Sequence, residues 1–230
     1  MTQPLPQRRR VRLGLELMVL FVGLPLVLAL LAPGRPVLPV LWLAAVWCGW
    51  NLRKHGRKET ATAATVRPTA CVHTWARILL RWTVGAGLLT GALALWRPDQ
   101  LFILPRVRPA LWLAIVLLYP WFSVVPQTIV YRGFFYHRYQ ALFPTVALAD
   151  MTAAVLFSWG HIVFLNLWAV LWTLPAGWLF ARTYRKTGSL ALSALEHALY
   201  GDAIFTIGWG AWFFHGTQAM ASAVTGLAPP

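Results

Sequence analysis

The sequence contains few charged residues and very few acidic ones. Of its 230 residues, 11% are charged and six are Asp or Glu, whereas 59% are hydrophobic. A soluble globular domain carries about 25% charged residues, so this composition excludes that class, and the apolar content excludes a disordered chain. Cysteine is also scarce, and two residues, Cys48 and Cys71, are too few for a disulfide scaffold. The class that remains is an all-α polytopic membrane protein.

The basic residues are numerous enough to raise the alternative of a nucleic-acid-binding protein. Twenty Lys and Arg residues give a net charge of +14. Most of them lie at the ends of apolar runs, however, where basic residues set the topology of a membrane protein. We therefore expect membrane lipids as partners and no nucleic acid. Basic clusters within residues 8–12 and within the polar stretch 51–75 predict that the N-terminus and this loop are cytoplasmic.

Apolar runs along the chain predict a transmembrane bundle of seven to eight spans. A spanning helix needs about 20 mostly apolar residues, and the first run is too long for the apolar region of a signal peptide. A polar helix at 127–140, bracketed by Pro126 and Pro144, is the eighth span if it crosses. The seven predicted spans are 13–32, 37–50, 76–96, 109–125, 145–161, 162–181 and 189–214.

We interpret residues 1–230 as a single domain, embedded in the cell membrane as a multi-pass protein. Residues 1–108 supply the N-terminal spans and the cytoplasmic basic loop 51–75. Residues 109–215 form a core that carries the polar residues on which function depends.

Ionisable residues inside the predicted spans are the strongest indication of function. Burying such a group costs roughly 2.5–3.5 kcal/mol on insertion scales, so these residues usually face an interior cavity. A lone histidine is more often hydrogen-bonded across a helix interface than catalytic. Two histidines on separate spans are able to polarise a carbonyl, hold a water or ligate a metal. The ionisable residues expected inside the membrane are Arg132, Asp150, His161, Glu196, His197 and Asp202, with Glu16 and Arg81 nearer the span ends.

Arg132 has two interpretations. In a helix of aromatic residues, an arginine often extends to the lipid headgroups. Alternatively, Arg132 is buried and holds a neighbouring carboxylate or binds a substrate carboxylate through paired hydrogen bonds.

Three segments carry, in chain order, Arg132, then Phe157 with His161, and then His197. Together they resemble the CPBP family of CAAX proteases and bacteriocin-processing enzymes. The family pattern is Glu-Glu-x-x-x-Arg, then Phe-x-x-x-His, then His-x-x-x-Asn or Asp, on separate helices. Arg132 matches the end of the first motif, Phe157 and His161 match the second, and His197 begins the third. The resemblance covers roughly residues 110–215. It implies the fold of a polytopic intramembrane endopeptidase.

The resemblance also implies an activity and roles for the residues. The reaction is hydrolysis of a peptide bond in or near the membrane, in a CAAX-type substrate or a leader peptide, so the partner is a peptide or protein. His161 and His197 flank the scissile carbonyl, as water-activating base or metal ligand and as oxyanion donor. Arg132 orients the site or pairs with the substrate. The implied cofactor is a divalent metal such as zinc, with His161 and His197 as metal ligands.

The sequence departs from the family pattern at three positions. Gln127 and Thr128 stand where the family has its two glutamates, and neither side chain takes a proton near neutral pH. The last motif position is Gly201, with Asp202 one residue later. If an acid is to reach the His197 site, the last helix must bend, and Gly201 is where we expect that bend.

Three explanations of the missing glutamates stay open. Another acid, Glu196 or Asp202, substitutes for them. Alternatively, His161 alone serves as the base, at lower activity. In the third explanation, the chain is a degenerate family member that still binds substrate.

Two rival functions follow from the same residues. The first is a non-catalytic pseudoprotease that binds a peptide or a partner, of the kind linked to bacteriocin immunity or maturation, and Gln127 and Thr128 favour it. The second is a transporter in which Arg132, Asp150 and the two histidines form a proton or substrate path. No inverted repeat is evident in the sequence, which argues against the transporter.

Overall fold

The protein, described here by a computed structural model, is helical and contains no strand within residues 6–31, 37–56 and 68–213, the part of the chain that the structure describes. This confirms the all-α prediction. The longer helices are α1 (Gln7–Leu31), α2 (Val37–Gly56), α3 (Pro68–Trp96), α4 (Pro109–Leu142), α5 (Val146–Phe164), α6 (Leu167–Thr187) and α7 (Leu190–Ile207).

Four helical segments in the described ranges are long and apolar enough to cross a membrane. They are α1, residues 74–96 of α3, α4 and α5. Leucines on these helices are strongly exposed, for example Leu95, which is 91% exposed. Exposed apolar side chains of this kind suit contact with lipid rather than water. The chain is thus a membrane protein, while the predicted total of seven to eight spans stays a prediction.

The loop predicted at 51–75 is shorter in the structure, because helices include both ends of this stretch. Helix α2 continues to Gly56, and α3 already begins at Pro68. Asn51, just beyond the apolar run of α2, donates from Nδ2 to the Trp47 carbonyl at 2.8 Å. Proline suits the first turn of a helix, where no N–H donor is needed. The middle of the predicted loop, residues 57–67, lies outside the described residues.

The prediction of a separate helix at 127–140 is wrong, because the helix that precedes Pro126 does not end there. Helix α4 is helical over 34 residues, from Pro109 to Leu142. A π turn at Pro120–Val124 ends two residues before Pro126, and a second π turn follows at Ile129–Phe134. Widened turns accommodate the carbonyl that a proline leaves without its N–H partner. The polar residues 127–140 therefore form the second half of one long helix.

The described residues fold as two compact units, each built from two stretches of chain. The first unit comprises residues 1–62 and 126–182, and the second comprises residues 63–125 and 183–230. The interpretation of the whole chain as one domain stays a prediction.

In the first unit, one acidic residue of α1 and one of α5 bind groups on α4. The Glu16 carboxylate of α1 accepts from Arg138 Nε and Nη2 at 2.9 and 2.7 Å, and from the Tyr139 hydroxyl at 2.9 Å. The Tyr136 hydroxyl donates to Asp150 of α5 at 2.6 Å. These bonds fix the second half of α4 against α1 and α5.

In the second unit, tryptophans hold α7 in place. Trp82 of α3 donates its indole N–H to the Leu199 carbonyl at 2.9 Å, and Trp112 of α4 donates to Thr206 Oγ1 at 2.9 Å. Gly208 ends α7 with φ of 122°, and a Cβ there would collide with the Gln100 carbonyl. Only glycine suits both the positive φ and this close approach. Helix α7 is therefore fixed along its length, which positions His197.

Candidate active site

Arg132 is buried and does not extend to the headgroups. Its side chain is 1% exposed, and Nη2 donates to the Gly177 carbonyl of α6 at 3.1 Å. The guanidinium carbon lies 4.3 Å from the centroid of the Phe157 ring and 5.7 Å from that of Phe180. Nη1 is buried and has no hydrogen-bond partner in the described part of the chain. Within the first unit, Arg132 is thus held by a carbonyl and two aromatic rings.

Phe157 joins the first two motifs. Besides its contact with Arg132, the Phe157 ring meets the His161 imidazole edge to face, with ring centroids 4.9 Å apart. Cation–π and aromatic contacts each contribute on the order of 0.5–1.5 kcal/mol and favour one relative orientation. The structure therefore brings Arg132, Phe157 and His161 together on α4 and α5. Arg132 of α4 and His161 of α5 thus contact the same ring.

The His161 ring is oriented by its own helix. Its Nδ1 lies 2.8 Å from the Phe157 carbonyl oxygen, at the start of the 3₁₀ turn Gly160–Phe164 that ends α5. A carbonyl only accepts, so Nδ1 carries the proton and donates it. In the neutral imidazole, Nε2 is then the unprotonated nitrogen. His161 thus has the tautomer that a base acting through Nε2 requires.

Two glycines and a tyrosine complete the surroundings of this histidine, and sequence reasoning missed all three. A Cβ on Gly177 would approach Phe157 Cδ1 to 2.8 Å, and a Cβ on Gly160 would collide with the Tyr131 hydroxyl. The Tyr131 and Phe157 rings also meet edge to face at 5.5 Å. The sequence gives one indication of this packing, which is the presence of glycine inside two apolar helices. Glycine lowers the stability of a helix interior, so its presence there indicates close packing.

Gln127 and Thr128 lie between the two π turns of α4. Thr128 is 3% exposed, and Gln127 is half-buried. Both precede Arg132 on the same helix, in the first unit. Widened turns of this kind occur frequently at functional sites, and no residue pattern in the sequence reveals them.

His197 lies on α7 in the second unit, and its partner there is a tyrosine that sequence reasoning missed. The Tyr119 hydroxyl of α4 is 3.2 Å from His197 Nε2, and the two rings meet edge to face with centroids 6.2 Å apart. His197 is 6% exposed. Tyr119 precedes His197 by 78 positions, so no local motif connects the two residues.

The two acids near His197 differ in their surroundings. Glu196 is fully buried and its Oε1 lies 2.9 Å from Arg81 Nη2 of α3, a guanidinium that also donates to Thr183 at 3.3 Å. Asp202 has a buried Oδ1 without a hydrogen-bond partner in the described ranges, and its carboxylate interacts electrostatically with Tyr119. Arg81 therefore engages Glu196, whereas Asp202 lies close enough to Tyr119 to interact with it electrostatically.

The predicted bend at Gly201 is wrong. Helix α7 runs without interruption from Leu190 to Ile207. Gly201 is instead a point of close approach, because a Cβ at this position would collide with the Tyr119 ring and lie 2.6 Å from its hydroxyl oxygen. The glycine makes room for a side chain of another helix and does not break its own.

A comparison with protein families identifies the segment that contains these residues. The family described as "Type II CAAX prenyl endopeptidase Rce1-like" matches residues 109–201. This segment is similar to the Rce1-like family. The match confirms the resemblance drawn from the motifs, and the family named in that description is a protease family. Neither a curated protein nor a solved structure matches the chain.

The Rce1-like segment includes Gln127, Thr128, Arg132, His161 and His197, whereas Asp202 lies one residue beyond its end. A zinc site needs about four ligands, of which a catalytic site takes three from the protein. Among residues 6–31, 37–56 and 68–213, no group of three His, Cys, Asp or Glu side chains is placed to hold a metal ion. The residues described do not supply such a set, and zinc binding by His161 and His197 stays a prediction.

Proposed function

We propose that this protein is an intramembrane endopeptidase that hydrolyses a peptide bond in or near the membrane. The observation that carries the proposal is the His161 imidazole, which lies in the Rce1-like segment with Nδ1 bonded to the Phe157 carbonyl, so that Nε2 is the unprotonated nitrogen. The name of the matched family supports a substrate of the CAAX type, a lipid-modified peptide. Leader-peptide processing is the alternative for the same chemistry.

In the proposed reaction, His161 acts first as base and then as acid. Nε2 takes one proton from a water whose oxygen bonds to the scissile carbonyl carbon, while the carbonyl π electrons move to oxygen. When the tetrahedral intermediate collapses, the C–N bond breaks and the leaving nitrogen takes that proton from Nε2. His197 belongs to the site that stabilises the oxyanion. Gln127 and Thr128 orient the water, since neither accepts its proton.

Arg132 has a positioning role in this proposal. It holds the Phe157 ring through the guanidinium contact at 4.3 Å, and Phe157 in turn orients His161 through its carbonyl and its ring. Of the two candidate acids, we assign the supporting role to Asp202, because Arg81 engages Glu196.

For the cellular setting, we propose a multi-pass protein of the cell membrane with a cytoplasmic N-terminus. Four candidate spans and the basic residues near the N-terminus support this orientation. A reporter enzyme that is active only outside the cytoplasm, fused to the N-terminus, should be silent, and an active fusion would reverse the assignment.

A pseudoprotease is the second candidate, and the observation that favours it is the presence of Gln127 and Thr128 in place of two glutamates. Thr128→Glu separates the two functions. We expect wild-type protein in nanodiscs to cleave a fluorogenic farnesylated CAAX peptide slowly, and Thr128→Glu to cleave it faster. A restored general base contributes about 10²–10⁴-fold, so the gain should be at least tenfold.

Thr128→Gln is the matched control, since it adds the same volume at a site that is 3% exposed but no proton acceptor. Cleavage by Thr128→Glu alone, with a silent wild type, establishes the pseudoprotease. Equal rates for the Glu and Gln variants would remove residue 128 from the reactive site. Metal analysis of the same preparations tests the zinc prediction.

A further inference from the structure

The Tyr119–His197 pair is a feature of the second unit that the motif pattern does not include. The Tyr119 hydroxyl lies 3.2 Å from His197 Nε2, within hydrogen-bond distance. The ring of Tyr119 also packs edge to face against Phe205, with centroids 5.8 Å apart. The phenol is therefore held between two residues of α7 and aimed at the imidazole.

Tyr119 fills the space that a side chain at position 201 would need. A Cβ on Gly201 would collide with Tyr119 Cε1 and lie 2.6 and 2.7 Å from the hydroxyl oxygen and Cζ. In the motif His-x-x-x-Asn or Asp, position 201 carries the polar side chain, one helical turn after His197. Here the polar group near His197 comes from α4 instead. Gly201 thus leaves the space that the Tyr119 ring occupies, and Tyr119 supplies a polar group near His197 in place of the motif side chain.

The chemistry of the phenol suits the place it occupies. A phenolic oxygen accepts one hydrogen bond and donates another. If His197 Nε2–H donates to this oxygen, the Tyr119 O–H is left to donate to a developing oxyanion. Neutral donors of this kind, aimed at the charge of a tetrahedral intermediate, contribute the largest single factor in many acyl-transfer sites.

We propose that Tyr119 is the oxyanion donor of this protein and replaces the side chain missing at Gly201. This inference rests on the proposed peptidase function. Tyr119 would then be a catalytic residue that touches the substrate carbonyl, and His197 would position it. Such a role predicts an effect on kcat with little change in KM, because the oxyanion forms only in the transition state.

The test compares Tyr119→Phe with wild type on the farnesylated CAAX peptide in nanodiscs. Loss of one oxyanion donor costs about 10²–10³ in kcat, so we expect a fall of that size with KM changed less than threefold. Phenylalanine keeps the ring above Gly201, so the protein should still fold. Tyr184→Phe, the same chemical change elsewhere in the second unit, is the control and should cleave like wild type.

A second variant protects the test against a purely structural explanation. Tyr119→Ala removes the ring and the donor, and adding Gly201→Asn to it restores a polar side chain one turn after His197. We expect the double variant to cleave at least tenfold faster than Tyr119→Ala. If Tyr119→Phe cleaves at the wild-type rate, the inference fails while the peptidase function stands. If wild type does not cleave, both fail together.

Discussion

His161→Ala should lower the rate of cleavage by at least 10²-fold. The variant removes the nitrogen that takes the proton of the attacking water, and general acid–base catalysis contributes about 10²–10⁴-fold. With Thr128 and Gln127 unable to take that proton, no glutamate of the motif compensates for the loss. The measurement is kcat/KM on the farnesylated CAAX peptide in nanodiscs, with detection limits four orders of magnitude below wild type.

The control for this variant is His137→Ala, a histidine on α4 to which no catalytic role is assigned. His137 is half-buried, as His161 is, so the two substitutions remove the same side chain from similar surroundings. We expect His137→Ala to stay within threefold of wild type. A wild-type rate for His161→Ala would show that another group is the base and would end the mechanism proposed for α5.

Arg132→Met should lower activity while the protein remains as stable as wild type or becomes more stable. A charge that is 1% exposed, with one guanidinium nitrogen lacking a hydrogen-bond partner among the described residues, is costly to bury. Replacement of buried charged groups by apolar residues of similar volume is often neutral or stabilising, by about 1–4 kcal/mol. We therefore expect the apparent Tm to hold or rise.

Activity should fall by about 10²-fold in the same variant. Without the guanidinium above it, the Phe157 ring loses one of the contacts that orient it and His161, and small misplacements of a catalytic group have effects of this order. Conversely, Arg138→Met breaks the paired bonds to Glu16 and should lower the apparent Tm without changing kcat. A lower apparent Tm for Arg132→Met, together with lower activity for Arg138→Met, would contradict the positioning role of Arg132 and the stabilising role of Arg138.

The membrane class and the first two motifs were predictable from sequence because they depend on composition and on local spacing. Low charge content excludes a soluble domain wherever the residues stand in the chain. Phe157 and His161 are four apart on one helix, so helical geometry alone brings the imidazole to the Phe157 carbonyl. Arg132 could be assigned to the same site as Phe157 and His161 because the family pattern contains all three residues, although they lie on two helices.

Other features could not be predicted, because they depend on contacts between distant residues. Tyr119 reaches His197 across 78 positions, and no periodicity records such a pairing. Gly201 was interpreted as a weak point in α7, although its role is to admit the Tyr119 ring, and sequence alone does not distinguish a glycine needed for space from one needed for bending. Likewise, Pro126 predicts a helix end unless a π turn precedes it, and π turns have no sequence signature.

In the proposed mechanism, His161 and His197 serve one reaction. A double-mutant cycle tests it most directly, with kcat/KM measured for wild type, His161→Ala, His197→Ala and the double variant. Residues that act as a unit are strongly non-additive. We predict that each single variant loses at least 10²-fold and that the double variant loses no more than the worse single one. Losses that multiply, or a single variant that cleaves like wild type, would contradict the claim.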